Sequence, residues 1–419
     1  MPSHQLTYRR IPWLLMILLL GSHFTPVSPT LAQPGVTNAS VDYEFGKEII
    51  FQAILQSPQP IEKGYVLFSV SGENQTRSSE TQAIPKDATS YQISSIYPVN
   101  NQPLRAFTRV DYRFQLRLQG GEEFTSPTFS FEYIDNRVDW QRFNQPPYHI
   151  AWYAQDDIAF GDNAAKTAQA GLNKIQSLLP IQTPEKIDIY IYPTASTLQE
   201  VLILSGQDWV AGHADPDLGV ILVTIHNRPE QALVMEQIIP HEMMHILLYN
   251  TLGEGYNNLP TWLVEGLASI AELYPNPDYQ ILLNTAIERD TLINMESLCN
   301  AFPRDASSAL LAYAQSASFT RYLHAQYGTS GLGRLLESYR DGLDCARGVE
   351  VASGSSLKQL ERLWRENVLY EDRTGMAARN LLPWLALALV VLAAPIGLAL
   401  SRLWQKPAQT SATQAEGKR

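Results

Sequence analysis

IIPHEMMHILLYN, residues 238–250, sets two histidines four apart in an otherwise apolar run, with a glutamate directly after the first. On an α-helix, residues i and i+4 share a face, so His241 and His245 can aim two ring nitrogens at one point. That is the geometry a zinc ion accepts. Glu242 sits beside the point without being forced to bind there, and a carboxylate so placed can take a proton from water that the ion activates. The pattern is H-E-x-x-H, whose mechanism belongs to zinc metallopeptidases. A pair of satisfied histidines on a buried helix face would read the same way, so the metal reading needs a third ligand.

LPTWLVEGLASIAELY, residues 259–274, supplies a candidate. Glu265 stands in the middle of an apolar helix, an expensive place for an unpaired carboxylate, and coordination to a cation removes that cost. Pro260 and Thr261 are helix-start signals, and the intervening GEGYNN (253–258) reads as a loop. Two helices joined by a loop can thus bring Glu265 against His241 and His245. Three protein ligands leave a fourth position open for water. Proline removes a hydrogen bond inside a helix. The active-site helix therefore either starts at Pro240 or follows a bent lead-in, PEQALVMEQII (229–239), and the ligand spacing survives both.

HEMMH followed by WLVEGLASIAE, with nineteen residues between His245 and Glu265, resembles the gluzincin metallopeptidases, and within them the peptidase MA-like domains related to thermolysin and the membrane alanyl aminopeptidases. The resemblance spans roughly Tyr148 to Asn367 and includes the later AYAQSASFTRYLHAQYG. It implies His241, His245 and Glu265 as zinc ligands and Glu242 as general base and acid. Similar aminopeptidase segments carry a glutamate at the offset of Glu272, two helical turns past Glu265, which makes it the candidate to accept the second N–H of a ligand histidine. Gluzincins often use a downstream tyrosine or histidine for the oxyanion, and Tyr313 is the best-placed candidate, with Tyr322 and His324 close behind. Two departures stand out. No G-x-M-E-N element precedes His241, so an aminopeptidase mode is not implied. Ser269 occupies the position where thermolysin has an acidic residue four past its glutamate ligand.

Upstream, the fold is expected to be α+β: a gluzincin-like mixed sheet with a helical subdomain at 146–370, preceded by an all-β, immunoglobulin-like sandwich at 36–140. EIIFQAIL, GYVLFSVS, SYQISSIY, DYRFQLRL and SPTFSFEYI alternate between turn-rich breaks, as short sandwich strands do. DWQRFNQPPY reads as the boundary. Beyond it HIAWYA, KIDIYIYP and LGVILVTIH read as strands between helical stretches, and the sequence from Leu259 to Leu369 reads as helical. By the gluzincin resemblance, LGVILVTI would form the sheet edge along the cleft, where a peptide can add as a strand. Trp209 and His213 are candidates to line that groove, with His213 outside the metal set. Asp156, Asp157 and Asp162 lack a calcium-loop pattern and read as loop and capping residues.

The 419 residues exceed one ordinary core, and 45% hydrophobic with 17% charged residues marks a folding chain. A net charge of −11 without a Lys/Arg cluster argues against a nucleic-acid partner. Arg9 and Arg10, a short apolar run and small residues near Ala32 describe a signal peptide at 1–32. The uncharged run LLPWLALALVVLAAPIGLAL suits a transmembrane helix at 381–401, and Arg402 and Lys406 place a tail, 402–419, in the cytoplasm. The remainder would then lie outside the cytoplasm, as suits a bacterial cell surface. There Cys299 and Cys345 can form one disulfide, two buried thiols being the alternative. The expectation is a membrane-anchored zinc metallopeptidase acting on peptides or proteins. A non-catalytic binding protein on the same scaffold, or a zinc hydrolase of a non-peptide amide, are the alternatives.

Overall fold

The computed structural model describes residues 34–153, 158–204, 212–370 and 373–404. The expected signal peptide and residues 405–419 of the expected cytoplasmic tail lie outside these, as do Trp209, Asp156 and Asp157.

Two antiparallel sheets build the N-terminal unit. One is ordered β1 (Gly35–Glu44), β2 (Glu48–Gln56), β6 (Ser90–Pro98), β5 (Gln82–Pro85). The other runs β4 (Thr76–Glu80), β3 (Ile61–Val70), β7 (Thr108–Leu118), β8 (Glu123–Thr125), with β9 (Phe129–Tyr133) also pairing β7. Alternation does the work expected of it: in β7 every second residue from Thr108 to Leu118 is buried, and Phe51, Phe68, Tyr112 and Phe114 interleave between the sheets.

A mixed five-stranded sheet follows, ordered β10 (Gln141–Gln145), β11 (Tyr148–Trp152), β12 (Ile187–Tyr192), β14 (Val220–Thr224), β13 (Gly212–Asp215). Its β11–β12–β14 core is parallel, and both outer strands are antiparallel to it. Two expectations are corrected here. The supposed boundary segment contains a strand, β10, and the apolar LGVILVTI run is no edge. VILVT is buried at every position because β14 lies between β12 and β13, and the edge along the cleft is the short, polar β13. Both faces of the sheet are covered. Ile187, Ile189, Ile191, Ile221 and Val223 pack under α1 (Ile158–Leu178) and α3 (Gln231–Leu252). Tyr190, Tyr192, Val220 and Leu222 join the core of the β-sandwich with α2 (Ala195–Leu204). Tyr190 meets Phe107 at 4.0 Å between ring centroids, and Trp140 packs edge-on to Tyr190 and Tyr192.

The remainder is helical: α4 (Thr261–Ala271), α5 (Asp278–Arg289), the long α6 (Ala306–Arg340) bent at Gly328, α7 (Cys345–Ser353), α8 (Leu357–Asn367) and α9 (Arg373–Leu403). The uncharged run lies within α9. Among the described residues no helix is long and apolar enough to cross a membrane, and several side chains of α9 fall outside that description. The mixed α+β fold, all-β at the N-terminal side and helical at the C-terminal side, is as expected.

Cys299 and Cys345 are bridged, with Cα atoms 6.0 Å apart, beneath the first turn of α4. Thr261 N–H donates to the Cys299 carbonyl at 2.9 Å, and Trp262 Nε1–H to Cys345 Sγ at 3.4 Å. The bridge spans 46 residues, and loop entropy of that size is worth about 4 kcal/mol in the chain-entropy account. Cys299→Ser with Cys345→Ser is expected to lower unfolding stability by about 2–4 kcal/mol in denaturant titrations. An unchanged midpoint would mean that the bridge constrains nothing in the unfolded chain.

Candidate metal centre

α3 continues through Pro240, which lies inside the helix and not at its start. The proline ring faces Gly171 of α1, where a Cβ would come within 2.9 Å of it, so the glycine lets the two helices close. From Met243 to Leu248 every residue of α3 is buried, which holds His245 and Glu242 rigidly. α4 is pressed against α6 at Gly266, where a Cβ would lie 2.6 Å from the Ser316 carbonyl oxygen. The glycine beside Glu265 thus sets how closely the ligand-bearing helix docks.

The fold brings the three expected ligands together. His241, His245 and Glu265 each offer one ligand atom, and these lie within 4.8 Å of one another. Nε2 of His241 is 3.4 Å from Oε2 of Glu265, close to the roughly 3.4 Å between two ligands of a tetrahedral zinc with bonds near 2.0–2.1 Å. The opposite ring nitrogens are already engaged. Nδ1 of His241 lies 3.1 Å from Oε1 of Glu272, and Nδ1 of His245 lies 3.1 Å from the Tyr256 hydroxyl. Placing the hydrogen on each Nδ1 makes both rings donate outward and leaves both Nε2 lone pairs for a cation. The donor set fits a zinc ion on this chemistry.

Glu272 reaches His241 differently from expectation. α4 ends at Ala271, and Glu272 leaves the helix at φ −53°, ψ 130°. It is fixed from two sides: Lys174 of α1 donates to its carbonyl, and Leu273 N–H donates to the Glu236 carbonyl at 2.8 Å. Glu272 is 2% exposed, and its Oε2 has no hydrogen-bond partner among the described residues. Tyr256 was not legible from the sequence; it sits in the GEGYNN segment that joins the two helices carrying the candidate ligands.

Electrostatics agree with a cation site. Burial pulls the His241 pKa down, but its bonds to Glu265 and Glu272 outweigh this and raise it to about 10. These bonds favour the protonated ring, and a cation at Nε2 would compete with that proton. Burial raises the Glu265 pKa, yet His241 and His245 reverse the sign and keep it lowered. Glu242, 8% exposed, lines the cleft with no hydrogen-bond partner among the described residues. The cleft encloses about 750 Å³.

Tyr313, on α6, lines the same cleft, its ring centroid 6.3 Å from that of His241 and 4.9 Å from Phe302. Burial first, then Glu265 and Glu242, raise its pKa, so it stays a hydroxyl donor. Tyr279 also lines the cleft and was not singled out by the sequence. Tyr322 stacks on Phe319 in the core, and neither it nor His324 lines the cleft. Asp162 lies in α1 paired with Lys166 at 2.6 Å.

Residues 167–370 match the family model of the Peptidase MA superfamily, so this part of the chain is peptidase MA-like. No curated protein matches the chain. Among solved structures, native yeast LTA4 hydrolase is similar over 81% of this chain and 68% of that one, at 11% identity and a TM-score of 0.36. Native leukotriene A4 hydrolase from Saccharomyces cerevisiae gives 81% and 67%, at 12% identity and 0.34. OgpA from Akkermansia muciniphila overlaps 25% of this chain and 30% of its own, at 14% identity and 0.19. Likeness at these scores carries over nothing about what those proteins do.

Proposed function

We propose that the chain is a zinc metallopeptidase anchored in a membrane with its catalytic unit outside the cytoplasm. The observation that carries this reading is the convergence of His241, His245 and Glu265, with their outward nitrogens engaged and the Glu242 carboxylate left free in the same cleft. His241, His245 and Glu265 would hold a zinc ion, which would supply Lewis acidity for a carbonyl and a water acidic near pH 7. Glu242 takes the proton of the attacking water and returns it to the leaving amine. Tyr313 donates its hydroxyl hydrogen to the developing oxyanion. A purely structural zinc would have four protein ligands and no use for a free carboxylate beside it. The 381–401 run supports the anchor: Leu389 and Val390 are 70% and 67% exposed on α9, a surface that lipid would cover.

The test is hydrolysis of a mixed peptide library by the full-length chain, before and after chelation. Cleavage is expected to vanish with chelator, return with zinc, and remain with the membrane fraction, reaching peptides that cannot enter intact cells. Cleavage confined to non-peptide amides would move the reading to another zinc hydrolase. Cleavage indifferent to chelation would end it.

A further inference from the structure

His213 lies on β13, the edge strand, and lines the catalytic cleft, yet it belongs to no part of the mechanism above. Its Nε2 is 3.0 Å from Oδ1 of Asp215, a residue only 5% exposed. The same oxygen accepts from the Arg105 guanidinium at 2.9 Å, and Arg105 also forks onto Asp217 in the turn between β13 and β14. Arg105 belongs to the β-sandwich. Gly72, also of the sandwich and at φ +81°, leaves room for this clamp, since a Cβ there would lie 2.5 Å from the guanidinium. Burial raises the Asp215 pKa, but His213 and Arg105 reverse this and keep it lowered, so the carboxylate only accepts. That fixes the His213 hydrogen on Nε2. In the neutral ring, Nδ1 then carries a lone pair, with no partner among the described residues. The outer edge of β13 is likewise unpaired among the described residues.

We propose that His213 is a substrate-positioning residue: its Nδ1 accepts a backbone N–H of an extended peptide laid along β13, and the β-sandwich holds it there through Arg105 and Asp215. The substrate class follows from the acceptor, namely a chain with a free amide N–H and not an ester or an N-alkylated amide. A role for the sandwich follows too, because its arginine sets the aim of a side chain in the cleft of the other unit. A fixed acceptor spares the entropy of orienting a mobile one.

This rests on the metallopeptidase reading, and the experiment separates the two. Two probes are titrated onto the zinc-loaded full-length chain: acetohydroxamate, which reaches only the metal, and a tripeptide hydroxamate. In His213→Ala the tripeptide probe is expected to bind about 10-fold more weakly, with acetohydroxamate affinity and zinc content unchanged. Arg105→Met should reproduce most of the loss, Arg105→Lys part of it, and His213→Ala with Arg105→Met should be no worse than His213→Ala alone. Among tripeptide probes N-methylated at one amide in turn, one should bind parent and His213→Ala equally. Unchanged tripeptide affinity in His213→Ala on a zinc-loaded protein overturns the proposal alone. Additive losses for Arg105 and His213 overturn the role of the sandwich. A parent that takes up neither zinc nor acetohydroxamate overturns the metal reading and this proposal with it.

Discussion

Glu242→Gln is expected to keep its zinc and lose peptide hydrolysis by about 10²–10⁴-fold in kcat, the usual worth of a positioned general base. The substitution is nearly isosteric and removes only the capacity to take a proton. The substitution breaks no hydrogen bond, because Glu242 makes none to the described residues and lies at the wall of the cleft. Metal content should stay at about one zinc per chain, since the three ligands are untouched. KM should change little, because the carboxylate acts on the water and the leaving amine and not on the peptide's binding groups. The measurement pairs metal analysis with steady-state kinetics on one preparation. Parent-like kcat in a zinc-replete variant would remove Glu242 from the chemistry and favour the binding-protein alternative.

The convergence of His241, His245 and Glu265 was legible because two helices carry these residues and helices have a fixed period. Spacing alone puts His241 over His245, and an apolar run makes Glu265 conspicuous. What the spacing could not supply was anything set by tertiary contact. Tyr256 reaches His245 from a 3₁₀ turn whose direction depends on how α4 docks on α6 through Gly266. Glu272 was found by its offset, but the reason differed: the helix stops one residue earlier, and an extended backbone turns the carboxylate toward His241. The sandwich strands were readable where one face is buried, as in β7, and missed where strands are short or polar, as in β5 and β8. The LGVILVTI run held its own correction. An unbroken apolar strand is covered on both faces and belongs inside a sheet, and the polar GHAD segment beside it is what an exposed edge looks like. His213 was legible as a groove-lining residue, which it is, but not in its bonding, since its partner Asp215 gains meaning only once Arg105 arrives from another unit.

Glu265→Ala should lower zinc affinity more than any other single change outside the two histidines. The carboxylate supplies the one negative charge among the three ligands, and its removal leaves two neutral imidazoles and a hole in the coordination shell. Loss of an outer partner typically weakens metal binding about 10–100-fold, which sets the scale for Glu272→Gln. There His241 keeps its lone pair, and the amide oxygen can still accept its Nδ1–H, but the negative charge that strengthens this bond and the ligand's basicity is lost. Glu265→Ala should exceed that range, because a bond to the cation is lost outright. Glu242→Gln should leave affinity close to the parent. The three variants therefore form a graded series, read by competition against a chromophoric chelator at one pH, since proton displacement from His241 makes affinity pH-dependent. The order itself is the discriminating result. A nonspecific surface site would respond to all three carboxylates alike, through net charge. A site built by α3 and α4 responds by position: strongly at Glu265, where Oε2 lies 3.4 Å from the His241 nitrogen, less at Glu272 behind the ring, and hardly at Glu242. Zinc affinity in Glu265→Ala within a few-fold of the parent would place the cation elsewhere on the molecule.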